Sequence, residues 1–376
     1  MQPTTRREFL SATGAAAFLA GTTPVILGAE DKAGTKIPIV GEGDFRFECH
    51  HNWGELPKSI SWRNTHGVTI DKDGLIYIKH QAAPKSCDTV AVFDADGKFV
   101  RSFGLEYAGG GHGIDIRTED GQEFLYLSDT LNGQVVKCDL NGEWVWKKRY
   151  PREAGVYPSL DKFRPTNVCF GPNGDFYVGD GYGSSFLHQY DIHGSWIRSW
   201  GGTGTAPGQM RTPHGQWLDA RPGREPSLVI ADRANARLQY FSLDGQPQSI
   251  MQGVKDASQE GPQAPLKAAD GREIPLSNVA GISFPADVDI QGEYMLVPDL
   301  YARVLIFNGQ NELVANLGYD AEWTAHVLDG MQVRRDPAKF QPGKFVHPHD
   351  ACFDKDGNIF VTEWVDAGRV TFLKRV

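Results

Sequence analysis

One block of sequence recurs six times along this chain, and that recurrence limits the fold more than any other feature. The second copy shows the plan. It opens at His112-Gly-Ile-Asp-Ile116, continues through Phe124-Leu-Tyr-Leu-Ser-Asp129 and Gln134-Val-Val-Lys-Cys-Asp139, turns at Asn141-Gly142 and ends in Trp144-Val-Trp146. The other blocks open at His66, Pro165, Pro213, Pro285 and Pro348. Each is a set of short β runs, most of them parted by Asp-Gly or Asn-Gly, whose tolerance of positive φ makes them the strongest hairpin signal a sequence carries. A lone four-stranded sheet leaves a face bare. Six such sheets packed face to face around an axis cover one another, so the expected fold is all-β, a six-bladed β-propeller over residues 44–376. The sixth block stops after three runs. An isolated strand at Phe45-Arg-Phe-Glu-Cys49 precedes the first block and is expected to supply the missing outer strand and close the ring.

Composition agrees. The 376 residues suffice for one large all-β domain, 40% are hydrophobic, and 43 Gly and 22 Pro fall between short apolar runs. Net charge is −9 and no basic stripe occurs, which excludes nucleic acid as the expected partner. Five scattered Cys with no C-x-x-C are no disulfide framework; most read as small buried apolar residues, and a single bridge stays open. Residues 1–29 carry Arg6-Arg7, then Phe9-Leu10, then a Gly/Ala-rich apolar run, which resembles a twin-arginine signal and implies a periplasmic or extracellular destination. No other run is long and apolar enough to cross a bilayer, so no permanent span is expected after signal removal. Residues 30–43 read as a linker, and 253–280 and most of 319–345 as surface loops.

The first strand of each propeller blade lines the central channel. The channel-facing position reads His66, His112, Thr166, His214, Ala286 and His349 around the ring. Blades two, four and six lie a third of a turn apart, so His112, His214 and His349 are placed to meet on the axis. Three neutral imidazoles with one open position are the ligand set of a catalytic zinc ion. The bland alternative is that each ring hydrogen-bonds to water and backbone. His66 stands beside the set as a fourth ligand, a proton shuttle or a lining residue. His50, His51, His80, His193 and His347 read as surface or supporting residues.

The repeat resembles the NHL repeat. Blades two, three, four and six resemble the core of the peptidyl-α-hydroxyglycine α-amidating lyases, on the strength of Phe163-Arg-Pro-Thr-Asn-Val168, Tyr177-Val-Gly-Asp-Gly-Tyr182, Pro207-Gly-Gln-Met-Arg-Thr-Pro-His214, Ala231-Asp-Arg-Ala-Asn-Ala-Arg-Leu-Gln239 and Pro348-His-Asp350. The resemblance implies Zn2+ on His112, His214 and His349, and a Tyr182 that acts on the substrate hydroxyl. It implies an active-site role for Arg233, although Asp-Arg-x-Asn-x-Arg is also an ordinary turn of the repeat. It further implies a structural Ca2+ held by the carbonyls of Val68 and Ile114 and by Asp350. Two departures matter. Where the lyases carry an arginine for the substrate carboxylate, this chain reads Ile78-Lys79-His80, and Lys79 offers charge without a bidentate fork. Gly183 stands where a disulfide cysteine would follow Tyr182. The implied function is a metal-dependent lyase that breaks a C–N bond in a small-molecule or peptide substrate, giving an amide and glyoxylate. The alternatives are a non-catalytic exported propeller that binds a protein or glycan, and a lactonase-type hydrolase with calcium on channel Glu, Asn and Asp.

Overall fold

The computed structural model describes residues 26–30, 36–253 and 264–376. Six antiparallel sheets form the blades of a propeller, and their first strands are Thr65–Ile70, Gly111–Glu119, Asn167–Phe170, Pro213–Asp219, Asp289–Gln291 and Pro348–Phe353. Each blade then runs outward in chain order. The sixth borrows its outer strand from the start of the fold: Phe47–His51 pairs antiparallel with Arg369–Arg375, setting His51 opposite Thr371 and Phe47 opposite Arg375. Closure therefore joins the two ends of the domain in one sheet, as the isolated N-terminal strand predicts.

Six apolar layers, one at each blade junction, make the core. Leu296, Val304 and Ile306 of blade five meet Ala351, Val361, Leu373 and Phe47 of blade six. Tyr77, Val90 and Val92 of blade one meet Ile114, Leu125 and Leu127 of blade two. Each such side chain contributes roughly 1.5–3 kcal/mol by leaving water. The acidic residue that ends the second strand pins the blade at its inner end. Asp180 accepts the Arg164 N–H at 2.7 Å, Asp232 the Arg211 N–H at 2.6 Å and Glu363 the Val346 N–H at 2.7 Å. Arg237 and Arg369 on the third strands close the clasp on Asp232 and Glu363, both at 2.7 Å. Blade one has His80 in this place, whose Nδ1 accepts the Arg63 N–H at 3.3 Å and whose Nε2 donates to the Asp88 carbonyl at 2.8 Å.

Three segments differ from expectation. Within the expected linker, Lys36–Val40 is a strand that pairs with Phe47–His51, and Ile26–Glu30 pairs with it in turn, extending the sixth sheet to six strands. Ile39 and Val40 are buried, so the apolar run Ile37-Pro-Ile-Val40 outweighs the glycines that follow it. The insert after blade four adds Leu276–Val279 parallel to Pro247–Gly253 and a hairpin of Leu266–Lys267 with Glu273–Ile274; residues 254–263 lie outside the described residues. The insert after blade five is no open loop. It carries a helix, Ala321–Leu328, capped by Asp320, whose carboxylate accepts the Trp323 N–H at 2.9 Å. Trp323, Val327 and Val333 pack on Ala302, Val346 and Val365, residues at the inner-strand starts and strand-two turns of blades five and six. The insert thus roofs the end of the channel that bears the histidines. The expected twin-arginine signal lies, up to residue 25, outside the described residues. Among the described residues no helix is long and apolar enough to cross a membrane, and all five cysteines are free.

Candidate metal centre in the channel mouth

His66, His112, His214 and His349 each sit second in a first strand, and at each the ladder to the second strand slips. The shifts fall at Thr65/Gly67, Gly111/Ile114, Pro213/Gln216 and Pro348/Asp350. A bulge re-aims a side chain, and here it turns four rings toward the axis. Glycine follows three of them for a steric reason. A Cβ on Gly113 would stand 2.5 Å from the Thr166 carbonyl oxygen, and one on Gly215 2.4 Å from Asp287 Cα, so neighbouring inner strands approach this closely only over glycine.

The four rings are buried and cluster together, with every pair but His66 and His214 in ring contact. Ring centroids of His112, His214 and His349 are 4.6–4.9 Å apart. His66 lies 4.9 Å from His112 and 4.4 Å from His349. The set His66, His112 and His349 offers one nitrogen each, all within 4.8 Å of one another, so three nearby histidines could hold a metal ion. The hydrogen bonds separate the four rings. His112 Nδ1 donates to the Thr166 carbonyl at 2.7 Å, His214 Nδ1 to the Ala286 carbonyl at 2.6 Å and His349 Nδ1 to the His66 carbonyl at 2.8 Å. A ring that donates from Nδ1 keeps its lone pair on Nε2, the outer-shell arrangement that orients histidine ligands. His66 has no such carbonyl; its Nδ1 meets His349 Nε2 at 3.1 Å. Burial holds His112 down to about 3 and is the main cause that drives His66, His214 and His349 well below the ordinary imidazole range, so all four are neutral at pH 7.

Tyr182 and Arg233 complete the mouth. The Tyr182 hydroxyl stands 2.9 Å from His214 Nε2 and 3.3 Å from His112 Nε2, while the ring stays 42% exposed. Arg233 opens the turn Arg233–Asn235, donates from Nη1 to the Tyr182 oxygen at 3.3 Å and lies between the rings of Tyr182 and Phe284, 5.2 and 5.1 Å from their centroids. These two join the histidines. Lys79 does not. It is fully buried, its Nζ donates to the carbonyls of Ser128 at 2.8 Å and Gly113 at 3.3 Å, and burial lowers it to about 7. Its strand points it between blades one and two, away from any substrate.

One layer deeper, Asp350 Oδ2 accepts the Val68 N–H at 2.8 Å. Asp115, Asp287 and Asp289 surround it electrostatically. Burial first, and then the neighbouring carboxylates, push Asp115 and Asp287 well above the usual range; burial raises Asp350 to about 7 and Asp289 to about 6. Asn167 donates to Asp287 at 2.9 Å, and Asp115 Oδ2 is buried without a partner. Sequence reasoning singled out Asp350 and passed over Asp115 and Asp287. The signal was there for Asp287, which follows Ala286 as Asp350 follows His349. The channel thus offers carboxylates as well as imidazoles. Ile114 packs in the junction of blades one and two. His347, read as a surface or supporting residue, is fully buried; its Nδ1 donates to the Leu300 carbonyl at 2.7 Å beside the mouth.

Above His349 a pocket of about 120 Å3 is bounded by Tyr182, Arg233, Phe284, Leu300, Met331 and Trp364. A larger cleft, about 480 Å3, lies at the far end of blades one and six among the reverse turns at Asp71–Gly74 and Asp354–Asp356, remote from the histidines.

Fold and site together define a six-bladed β-propeller with a buried histidine cluster, able to hold a metal, at the mouth of its channel. In sequence, the chain is similar to proteins named as amidating enzymes. It is 37% identical over 175 residues to peptidyl-glycine alpha-amidating monooxygenase B of Xenopus laevis, a match that covers 44% of this chain and 19% of the relative. It is 29% identical over 183 residues to peptidyl-alpha-hydroxyglycine alpha-amidating lyase 1 of Drosophila melanogaster, covering 46% of this chain and 33% of the relative. The chain therefore spans a third or less of the length of these two relatives. Among solved structures it superposes on a streptogramin B lyase with a TM-score of 0.54 at 12% identity, over 89% of this chain and 99% of that one, a likeness of fold alone. No protein-family model matches.

Proposed function

We propose that this protein is a metal-dependent lyase that cleaves an N-acyl-α-hydroxyglycine into an amide and glyoxylate. One observation carries the reading: three imidazoles from alternate blades, each fixed through Nδ1 by a neighbouring blade's carbonyl, with the Tyr182 hydroxyl against two of their Nε2 atoms and Arg233 over it. The similarity to amidating lyases supports it. The donor set fits zinc, because His112, His214 and His349 are neutral, buried imidazoles whose Nδ1 atoms are already held by carbonyls. When bound there, zinc supplies Lewis acidity toward the substrate oxygens. The chain's own groups do the rest. Arg233 draws in the substrate carboxylate and shields its charge. Tyr182 takes up the proton of the α-hydroxyl as the carbonyl of glyoxylate forms and passes its own hydroxyl proton to the leaving nitrogen. The C–N bond breaks with its electron pair going to nitrogen, which takes up a proton to give the amide. No atoms are gained, so no oxidant or water is consumed.

The deeper layer fits a hard cation such as calcium, since buried carboxylates crowd together there and Asp115 Oδ2 lacks a partner. Asp350 would hold it, with the carbonyls of Val68 and Ile114. The paired arginines near the start of the chain support export across a bacterial inner membrane.

Glyoxylate release from N-acetyl-α-hydroxyglycine by the zinc-loaded protein tests the reading. Tyr182→Phe should lower kcat by about 100-fold or more, the scale of a positioned acid–base group, while zinc content is kept. Zinc-loaded protein that releases no glyoxylate from α-hydroxyglycine substrates overturns it.

A further inference from the structure

The pocket over the histidines has two kinds of wall. Tyr182, Arg233 and His349 form the polar side; Phe284, Leu300, Met331 and Trp364 form an apolar one. Its volume, about 120 Å3, is well under the roughly 300–1,000 Å3 of pockets that enclose drug-sized ligands. It is open on the side of the half-exposed Tyr182 and narrow where Met331 and Trp364 face Phe284. Beyond the reacting end of a substrate, the space suits a short acyl group better than a long one.

Met331 closes the pocket from the insert after blade five. Its φ is +52°, and Gly330 before it is at +57°. Two successive left-handed residues make a sharp turn, and a methionine is disfavoured at the second. Such a conformation persists where the surroundings impose it, and these cluster at ligand-binding sites. Here the surroundings are rigid. The Arg334 guanidinium lies 3.6 Å from the Trp364 ring centroid, Nε donates to the Trp364 carbonyl at 3.2 Å and Nη2 to Asn64 Oδ1 at 2.7 Å. Asp366 N–H donates to the Arg334 carbonyl at 3.0 Å. The helix that precedes the turn is itself docked through Trp323 and Val327. Met331 is thus held over the site by a fixed support on blade six.

We propose that Met331, with Phe284, Leu300 and Trp364, determines substrate specificity by restricting the acyl group to a short apolar one, so that small N-acyl-α-hydroxyglycines are the substrates and long acyl chains and peptides are refused. This rests on the lyase reading for the reaction, and on the pocket alone for the size limit.

Met331→Gly is the test variant, because glycine adopts this φ without strain and the fold is retained, as an undiminished Tm will show. The first readout is independent of turnover: calorimetric titration of the zinc-loaded protein with acetohydroxamate and octanohydroxamate. The expected result is binding of the short probe at least about tenfold tighter in the parent protein, the scale of forcing excess methylenes into a filled site, with the ratio falling to within about twofold in Met331→Gly. The second is kcat/KM for N-acetyl- against N-octanoyl-α-hydroxyglycine, which should show the same preference and the same loss. Equal or tighter binding of the long probe by the parent, a ratio unmoved by Met331→Gly, or binding of neither probe overturns the assignment. Discrimination between the hydroxamates without turnover of either α-hydroxyglycine would instead sink the lyase reading and leave the size limit standing.

Discussion

Replacing His66 and His214 in turn decides which rings would hold the proposed metal. Four imidazoles share the mouth, and three suffice. The nitrogens that lie within 4.8 Å of one another belong to His66, His112 and His349, whereas the rings with Nδ1 held by a neighbouring blade's carbonyl are His112, His214 and His349. An anchored Nδ1 fixes both tautomer and ring direction before an ion arrives, which favours the second set. His66 is instead a competitor. Its Nδ1–H occupies the His349 Nε2 lone pair at 3.1 Å, and a metal must displace that bond. A net hydrogen bond is worth about 0.5–1.5 kcal/mol, so His66→Ala should raise zinc affinity by about 2- to 10-fold. Four-ligand zinc sites bind with about 10–16 kcal/mol, or roughly 2.5–4 kcal/mol per ligand, so His214→Ala should lower affinity by about 70- to 1,000-fold, as should His112→Ala and His349→Ala. The assay is competition against a chromophoric chelator at pH 7.5, with zinc stoichiometry by mass spectrometry and Tm to confirm folding. A His66→Ala loss as large as that of His214→Ala refutes the reasoning and gives His66 the ligand position.

Three further outcomes follow from the same structure. Calcium at about 100 times its Kd should add about 2.7 kcal/mol of stability, or roughly 3–4 °C in Tm, at pH 8, and nothing in Asp350→Asn. Burial raises the Asp350 carboxyl to about 7, so without an ion its ionisation destabilises the fold as pH climbs from about 4 through 7; at pH 5 a proton competes with calcium and the Tm gain should shrink, which calorimetry at both pH values checks. His80 is held down to about 4 by burial, so the unfolded chain takes up its proton first as pH falls below 6.5; stability should drop by up to about 3 kcal/mol by pH 4, and His80→Asn should flatten that slope in urea titrations. Phe47→Ala hollows the junction that the closing strand fills and should cost about 3–5 kcal/mol, lowering Tm by about 5 °C; an unchanged Tm would mean that closure does not depend on this strand's packing.

The number and order of the blades, and the closing strand, were legible because Asn-Gly and Asp-Gly turns and apolar runs are local signals that recur. The channel-facing histidines were legible because each stands at the same place in its block. Two of the three departures show why local reading fails. The glycines after Val40 hid a strand whose partner lies ahead of them in the chain, and the segment 319–345 lacks any periodic pattern strong enough to reveal that it docks on Ala302, Val346 and Val365.

Other features were never local. That Lys79 faces two carbonyls rather than the channel depends on which side of its strand borders blade two. The ring of Nδ1 anchors that separates His214 from His66 exists only because each blade offers a backbone carbonyl to the next, and no residue type encodes a carbonyl's position. Met331 lies over His349 because a turn far along the chain is clamped to Trp364. Short-range turn chemistry and hydrophobic alternation thus determined the repeat and named the residues able to bind a metal, while ring closure, which juxtaposes groups hundreds of residues apart, decided their distances, their partners and the size of the space above them.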